Sequence, residues 1–174
     1  MSAGSAQITG RVREQTQTNL DPGNCWQTCV ACILDVDAAE LPYQNAPSKF
    51  SYTNRLNSYL EKHHGLAYVE VHQPVITALS PPELHLMAGP TVRTPASGVH
   101  HVVVARRGQL VWDPHPSRAG LTAVERWGLV IPMPDEWKRQ RDAWRSTNAV
   151  DLQCACPACS PEPAISELVA PEVK

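Results

Sequence analysis

Cys25 stands in the run Pro22-Gly23-Asn24-Cys25-Trp26-Gln27-Thr28-Cys29. Pro22 and Gly23 form a turn signal, and an apolar stretch of helical period follows. The thiol is therefore expected at, or next to, the first residue of a helix, a position where the partial positive charge of the helix end favours a thiolate. Nucleophilic catalysis needs two further groups: a base to hold the proton and a group to orient that base. His100-His101 and Asp113 supply the candidates downstream. Cysteine, histidine, then carboxylate is a chain order that thiol hydrolases use.

The elements that must position them come next. Val99 to Trp112 reads as a β-hairpin, with His101-Val-Val-Val-Ala105 and Gln109-Leu-Val-Trp-Asp113 flanking Arg106-Arg107-Gly108. A three-residue loop with its glycine left-handed pairs position 105 with 109 and position 101 with 113. His101 and Asp113 then lie side by side on one face, and His100 points to the other. His101 is the expected base and Asp113 its orienter. A two-residue loop would shift the register by one and break that pairing.

Acyl transfer also calls for donors to an oxyanion. The Cys25 N–H is one if the residue begins its helix. An upstream side-chain amide is the usual second, and Gln15, Gln17, Asn19 and Asn24 all qualify by type. Asn24 and Trp26 flank the thiol and are expected to line the substrate groove, with Trp26 shielding the site from water. Cys29 and Cys32 follow Cys25 at i+4 and i+7, and core packing is the expected role for both. His115 is placed to contact substrate, or else belongs to a rigid loop set by Pro114 and Pro116. Arg93, just before the hairpin, is a carboxylate binder or a solvated loop residue.

The bulk properties agree with one catalytic domain. The 174 residues suffice for a real core, and a net charge of −2 gives no basic excess for nucleic acid or an anionic membrane. No apolar run reaches a membrane-spanning length, and Met1 to Gly10 lacks the pattern of a secretory signal. A cytoplasmic protein is expected, its cysteines reduced.

Residues 1–13 read as a flexible N-terminal arm, with a short edge strand at Ile8 to Val12. Residues 14–145 form the domain. Within it Cys25 to Leu34 reads as a buried helix, and Asp37 to Leu41 as a short one stopped by Pro42. Tyr52 to His64 is an amphipathic helix ended by Gly65, and Leu66 to His72 is a strand. Pro81-Pro82 starts another short helix through Met87. Trp127 to Pro132 is a strand and Asp135 to Trp144 a helix. Residues 146–174 form a Pro-, Ala- and Glu-rich tail.

Gly23-Asn24-Cys25-Trp26 leading into a helix, then His101-Val-Val and Val111-Trp112-Asp113-Pro114, resembles the papain-like cysteine peptidase superfamily. The likeness is nearest to compact bacterial members, such as bacteriocin-leader peptidases, and to small papain-like proteins of phages and bacteria. In the latter, Gln-Thr precedes Gly-Asn-Cys and Asp-Pro-His-Pro-Ser ends the hairpin. Here those stand as Gln15-Thr16, Gly23-Asn24-Cys25 and Asp113-Pro114-His115-Pro116-Ser117. The resemblance runs from about Gln15 to Leu121. It implies an α+β fold, with an N-terminal helical part whose nucleophile helix packs on an antiparallel sheet. It implies Cys25 as nucleophile, His101 as base, Asp113 as third member and Gln15 as oxyanion donor. The expected function is a cysteine hydrolase acting on a peptide or isopeptide through a thioester. The alternatives are an acyltransferase on the same site, or a non-catalytic binding protein of the same fold.

Cys154, Cys156 and Cys159 in the tail include a zinc-type Cys-x-x-Cys spacing but give three thiols, one short of a structural site. No cofactor is expected, and zinc there would need a ligand from elsewhere, such as His115. The expected partner is a peptide or protein substrate, with no nucleic acid and no membrane.

Overall fold

The structure is a computed structural model that describes residues 8, 10–20, 23–45, 51–72, 83–94 and 100–148. It is α+β. Helix α1 (Cys25–Leu34), a 3-10 turn (Ala38–Glu40) and helix α2 (Tyr52–His64) precede strands β1 (Leu66–His72), β2 (His85–Gly89), β3 (His101–Arg106), β4 (Gln109–Trp112) and β5 (Arg126–Pro132). Helix α3 (Asp135–Asn148) closes the described chain. The strands form one antiparallel sheet in the order β1-β5-β2-β3-β4.

Helix α1 is apolar on almost every side because it is buried on almost every side. Cys29, Val30, Ala31, Cys32 and Ile33 are all inaccessible to solvent. It packs chiefly on β3 and ends at Asp35, which adopts a left-handed conformation at φ 59°. Helix α2 instead buries one stripe, Leu56, Tyr59 and Leu60. Its start is capped by the Ser51 hydroxyl, which accepts from the Asn54 N–H, and Gly65 takes the left-handed stop at φ 66°.

The sheet is covered on both faces. Leu66, Tyr68, Leu86, Val104 and Val130 join α1 and α2 in the main core, and Met87, Val103, Ala105 and Trp127 form a second cluster with Leu121 and Val124. The segment carrying these last two crosses close over β2: any side chain at Gly89 would overlap the Ala123 carbonyl.

Several expectations are corrected. Of the helix expected from Pro81-Pro82 to Met87, the described part turns into strand β2 from His85 onward, and Pro81 and Pro82 lie outside the described residues. Its Leu and Met are helix formers, as is Glu83 just before it, but the strand lies between β5 and β3 and is buried on both faces, so no alternation marks it. The short helix at Asp37 to Leu41 is a single 3-10 turn, closed by a capping box between Asp37 and Glu40. No strand lies among the described residues of the arm. Ile8 and Val12 pack on the core instead, and the Arg13 N–H donates to the Cys32 carbonyl at 3.0 Å. Helix α3 runs to Asn148, past the expected tail boundary at 146. Cys154, Cys156 and Cys159 lie outside the described residues.

Candidate active site

Cys25 is the first residue of α1. The loop before it is braced from within. Asn24 is buried; its Oδ1 accepts from the Asn19 N–H at 3.1 Å and its Nδ2 donates to Thr18 Oγ1 at 3.1 Å. It therefore holds the loop rather than lining a groove. One turn on, Gln27 and Gln44 exchange bonds, each backbone N–H donating to the other's Oε1 at 3.1 and 3.2 Å. A neutral amide thus satisfies the third N–H of the helix, and the Cys25 N–H remains among those with no carbonyl in their own helix.

His101 is the first residue of β3 and Asp113 follows β4 directly. The turn between the strands is a two-residue one, Arg107 and Gly108, both at positive φ (48° and 79°) with Arg106 paired to Gln109. This corrects the expected three-residue loop. Such a turn alone would send Asp113 to the face opposite His101. A β-bulge restores the parity: Ala105 pairs with Leu110, but Val104 pairs with Trp112, so Val111 is extra. One step further, Asp113 comes beside Val103 and shares the face of His101 as its diagonal neighbour.

The two side chains meet. His101 Nε2 lies 2.7 Å from Asp113 Oδ1. Cys25 stands close enough to the same imidazole to favour its protonated form, and with Nε2 committed to Asp113, Nδ1 is the nitrogen left to face the thiol. Cys25, His101 and Asp113 are 8%, 5% and 3% exposed, so the three form a nearly dry set with one accessible end. Burial by itself lowers the histidine pKa; the hydrogen bonds to Asp113 and Cys25 and their charges outweigh it and lift it to about 9. Burial likewise raises Asp113, but the His101 bond and the Gly120 and His115 N–H groups bring it down to about 2.

The loop after β4 is built around that carboxylate. The His115 N–H donates to Oδ1 and the Gly120 N–H to Oδ2, both at 2.8 Å. Arg118, left-handed at φ 52°, donates to the Asp113 carbonyl and stacks its guanidinium 3.7 Å over the Trp112 ring. His115 packs edge-on to His101 with ring centres 5.9 Å apart. It therefore stands beside the histidine.

A pocket of about 120 Å³ opens at Cys25. Trp26 forms part of its wall and is fixed by ring contacts to Tyr52 and Tyr68 at 4.9 and 5.3 Å. Leu86, Ala88, Val102 and Gly128 give it an apolar floor, and Glu70, His100 and Arg126 a polar rim. His100 does face away from His101; it pairs with Glu125 at 3.0 Å.

Gln15 is not at the thiol. Its Nε2 donates to the Val36 carbonyl at 2.6 Å and its Oε1 accepts from Ala38 at 3.0 Å, which ties it to the chain leaving the far end of α1. Gln17 is the upstream amide nearer the loop before the thiol: it is buried against Gly23, two residues before Cys25, and its Nε2 donates to the Asn19 carbonyl at 2.8 Å. Residues 15–18 read Gln-Thr-Gln-Thr, so sequence offered both amides in equivalent contexts two residues apart.

No group of three or more His, Cys, Asp or Glu side chains able to hold a metal occurs among the described residues, and none of the described helices is long and apolar enough to cross a membrane. Compared with known proteins, the chain matches no family model, no curated protein and no solved structure.

Proposed function

We propose that this chain is a cysteine hydrolase of papain-like architecture that cleaves a peptide or isopeptide-type amide. The observation that carries the reading is the buried set of Cys25, first residue of α1, and His101, whose Nε2 lies 2.7 Å from Asp113 Oδ1. A thiol-bearing helix packed on an antiparallel sheet, with base and carboxylate on adjoining strands, is the arrangement the sequence resemblance implies. Three free thiols on one helix suit a reducing, cytoplasmic setting.

In the proposed cycle His101 holds the thiol proton and Asp113 fixes the ring. The sulfur attacks the carbonyl carbon. The oxyanion is met by the Cys25 N–H and Gln17 Nε2. The imidazolium then gives its proton to the leaving nitrogen, the C–N bond breaks, and water attacks the thioester to release the acid.

The test is to incubate the protein with a mixed peptide pool, quench in acid and examine it by mass spectrometry. An acyl adduct on Cys25, with cleaved products that vanish in Cys25→Ala, is the expected result. Cleavage that survives in Cys25→Ala, or neither adduct nor cleavage in the wild type, contradicts the proposal.

A further inference from the structure

The pocket beside Cys25 has no part in the cycle above, and its floor is one face of the sheet. Ala88 lies opposite Val102 on β3 and Arg126 on β5; Leu86 lies opposite Gly128, which in turn lies opposite Glu70 on β1. Residues directly opposite one another share a face, and so do residues two apart on a strand. The register therefore makes one surface that is apolar at Leu86, Ala88 and Val102 and charged at Glu70 and Arg126. Cys25 and Trp26, the first two residues of α1, line the same pocket.

Two small residues set the room available. A Cβ at Gly128 would come 2.5 Å from Tyr68 Oη, so the Tyr68 ring lies across that residue and forms the wall there. Ala88 presents only a methyl group. The space left is about 120 Å³, less than an apolar cavity of roughly 150 Å³ that takes up benzene. An aliphatic side chain fits such a space and an aromatic ring overfills it.

The charges at the rim are already engaged. Glu70 accepts from the Tyr68 hydroxyl at 3.2 Å and has Arg126 and His72 each at 3.9 Å, while His100 pairs with Glu125 at 3.0 Å. A charged side chain entering the pocket would exchange water for an apolar floor and find every counter-ion partnered. An aliphatic one gains by leaving water.

We infer that this pocket seats one substrate side chain close to the cleaved bond and limits it to an aliphatic group of valine to leucine size, with Ala88 as the residue that sets the limit. The inference rests on the hydrolase reading and names its substrate class. Because Cys25 lines the pocket, the seated residue lies near the carbonyl that the sulfur attacks. A leucine in place of Ala88 would add three carbons to the floor and leave room only for the smallest side chains.

A pool of randomised octapeptides tests it. Wild type, Ala88→Val and Ala88→Leu are incubated with the pool, thermal melts confirm that each folds, and the products are sequenced by mass spectrometry and aligned on the cleaved bond. The expected result is one position at which Val, Leu and Ile are cleaved at least tenfold more than Phe, Trp, Lys and Glu, a ratio within reach of steric fit in an apolar pocket. Ala88→Leu should move the preference at that same position to Gly and Ala by at least tenfold. Ala88→Val should move it part of the way, and serves alone if Ala88→Leu does not fold. Cleavage with no selective position, a preference there for aromatic or charged residues, or a preference unchanged in the folded variants overturns the inference and leaves the hydrolase reading standing. No cleavage of the pool by the wild type removes both.

Discussion

Successive turns of α1 carry the same functional group in opposite circumstances. Cys25 at the first residue stands beside an imidazole that is itself bonded to a carboxylate. Cys29, one turn further, donates to the Val102 carbonyl at 3.3 Å and is fully enclosed, and burial first, then the neighbouring cysteines and Asp113, raise its pKa well above the usual value. Cys32, a further turn along, is pushed up to about 11, chiefly by burial. Burial makes a thiol inert and a partnered base makes it a nucleophile. The lesson is that one helix face holds both the proposed nucleophile and a packing layer, and a single helical turn separates them.

The sharpest break of that comparison is substitution of each thiol. Cys25→Ala should abolish turnover to the detection limit, whereas Cys29→Ala should leave kcat/KM within about threefold and cost on the order of 1 kcal/mol in a urea melt, through a small cavity and a lost weak hydrogen bond. Loss of activity in both, with Cys29→Ala fully folded, would show that the boundary lies elsewhere.

Asp113→Asn comes next. It keeps the volume but exchanges a charged acceptor for an amide, and the expected loss in kcat is roughly a hundredfold or more, with KM little changed. The same pair sets a pH dependence of stability. His101 titrates at about 9 when folded, above its ordinary 6.5, so its contribution is complete below about pH 6.5 and is lost as pH rises through 9. Asp113 titrates at about 2, below its ordinary 3.8, so its contribution is present above about pH 4 and is lost as pH falls through 2. The stabilisation from the pair is therefore greatest between about pH 4 and 6.5, and Asp113→Asn should flatten a denaturant midpoint-versus-pH curve at both ends.

A backbone change tests the register. Inserting one alanine between Trp112 and Asp113 moves Asp113 one step along the ladder and sends it to the face opposite His101. Circular dichroism should stay close to wild type while activity falls at least as far as in Asp113→Asn. Retained activity would mean that this register is not what brings the two side chains together. The smallest effect expected is at the upstream amides. Gln17→Ala should lower kcat about tenfold to a hundredfold with little change in KM, and Gln15→Ala should lower the melting temperature and spare kcat.

These variants also mark how far the sequence could be read. Cys25 at a helix start was legible because Pro22-Gly23 and the apolar period announce the boundary locally. The shared face of His101 and Asp113 was anticipated through a register that does not occur: a shorter turn and a compensating bulge arrive at the same parity, and no residue type signals a bulge at Val111. The choice between Gln15 and Gln17 lay in the path of a loop, and the two amides occur in equivalent local contexts. Strand β2 was hidden because His85 to Gly89 is buried on both sides, which erases the alternation that makes a strand visible. Local chemistry was therefore readable, and contacts set by long-range pairing were not.

The central claim is an activated thiol at one end of α1 and inert ones further along. Alkylation by iodoacetamide at pH 6, followed over time by mass spectrometry of the native protein, tests it directly. The account predicts that Cys25 reacts at least a hundredfold faster than Cys29 or Cys32, and that His101→Ala slows it by at least tenfold. Alkylation of Cys25 no faster than that of Cys29 and Cys32, or a rate indifferent to His101, would contradict it.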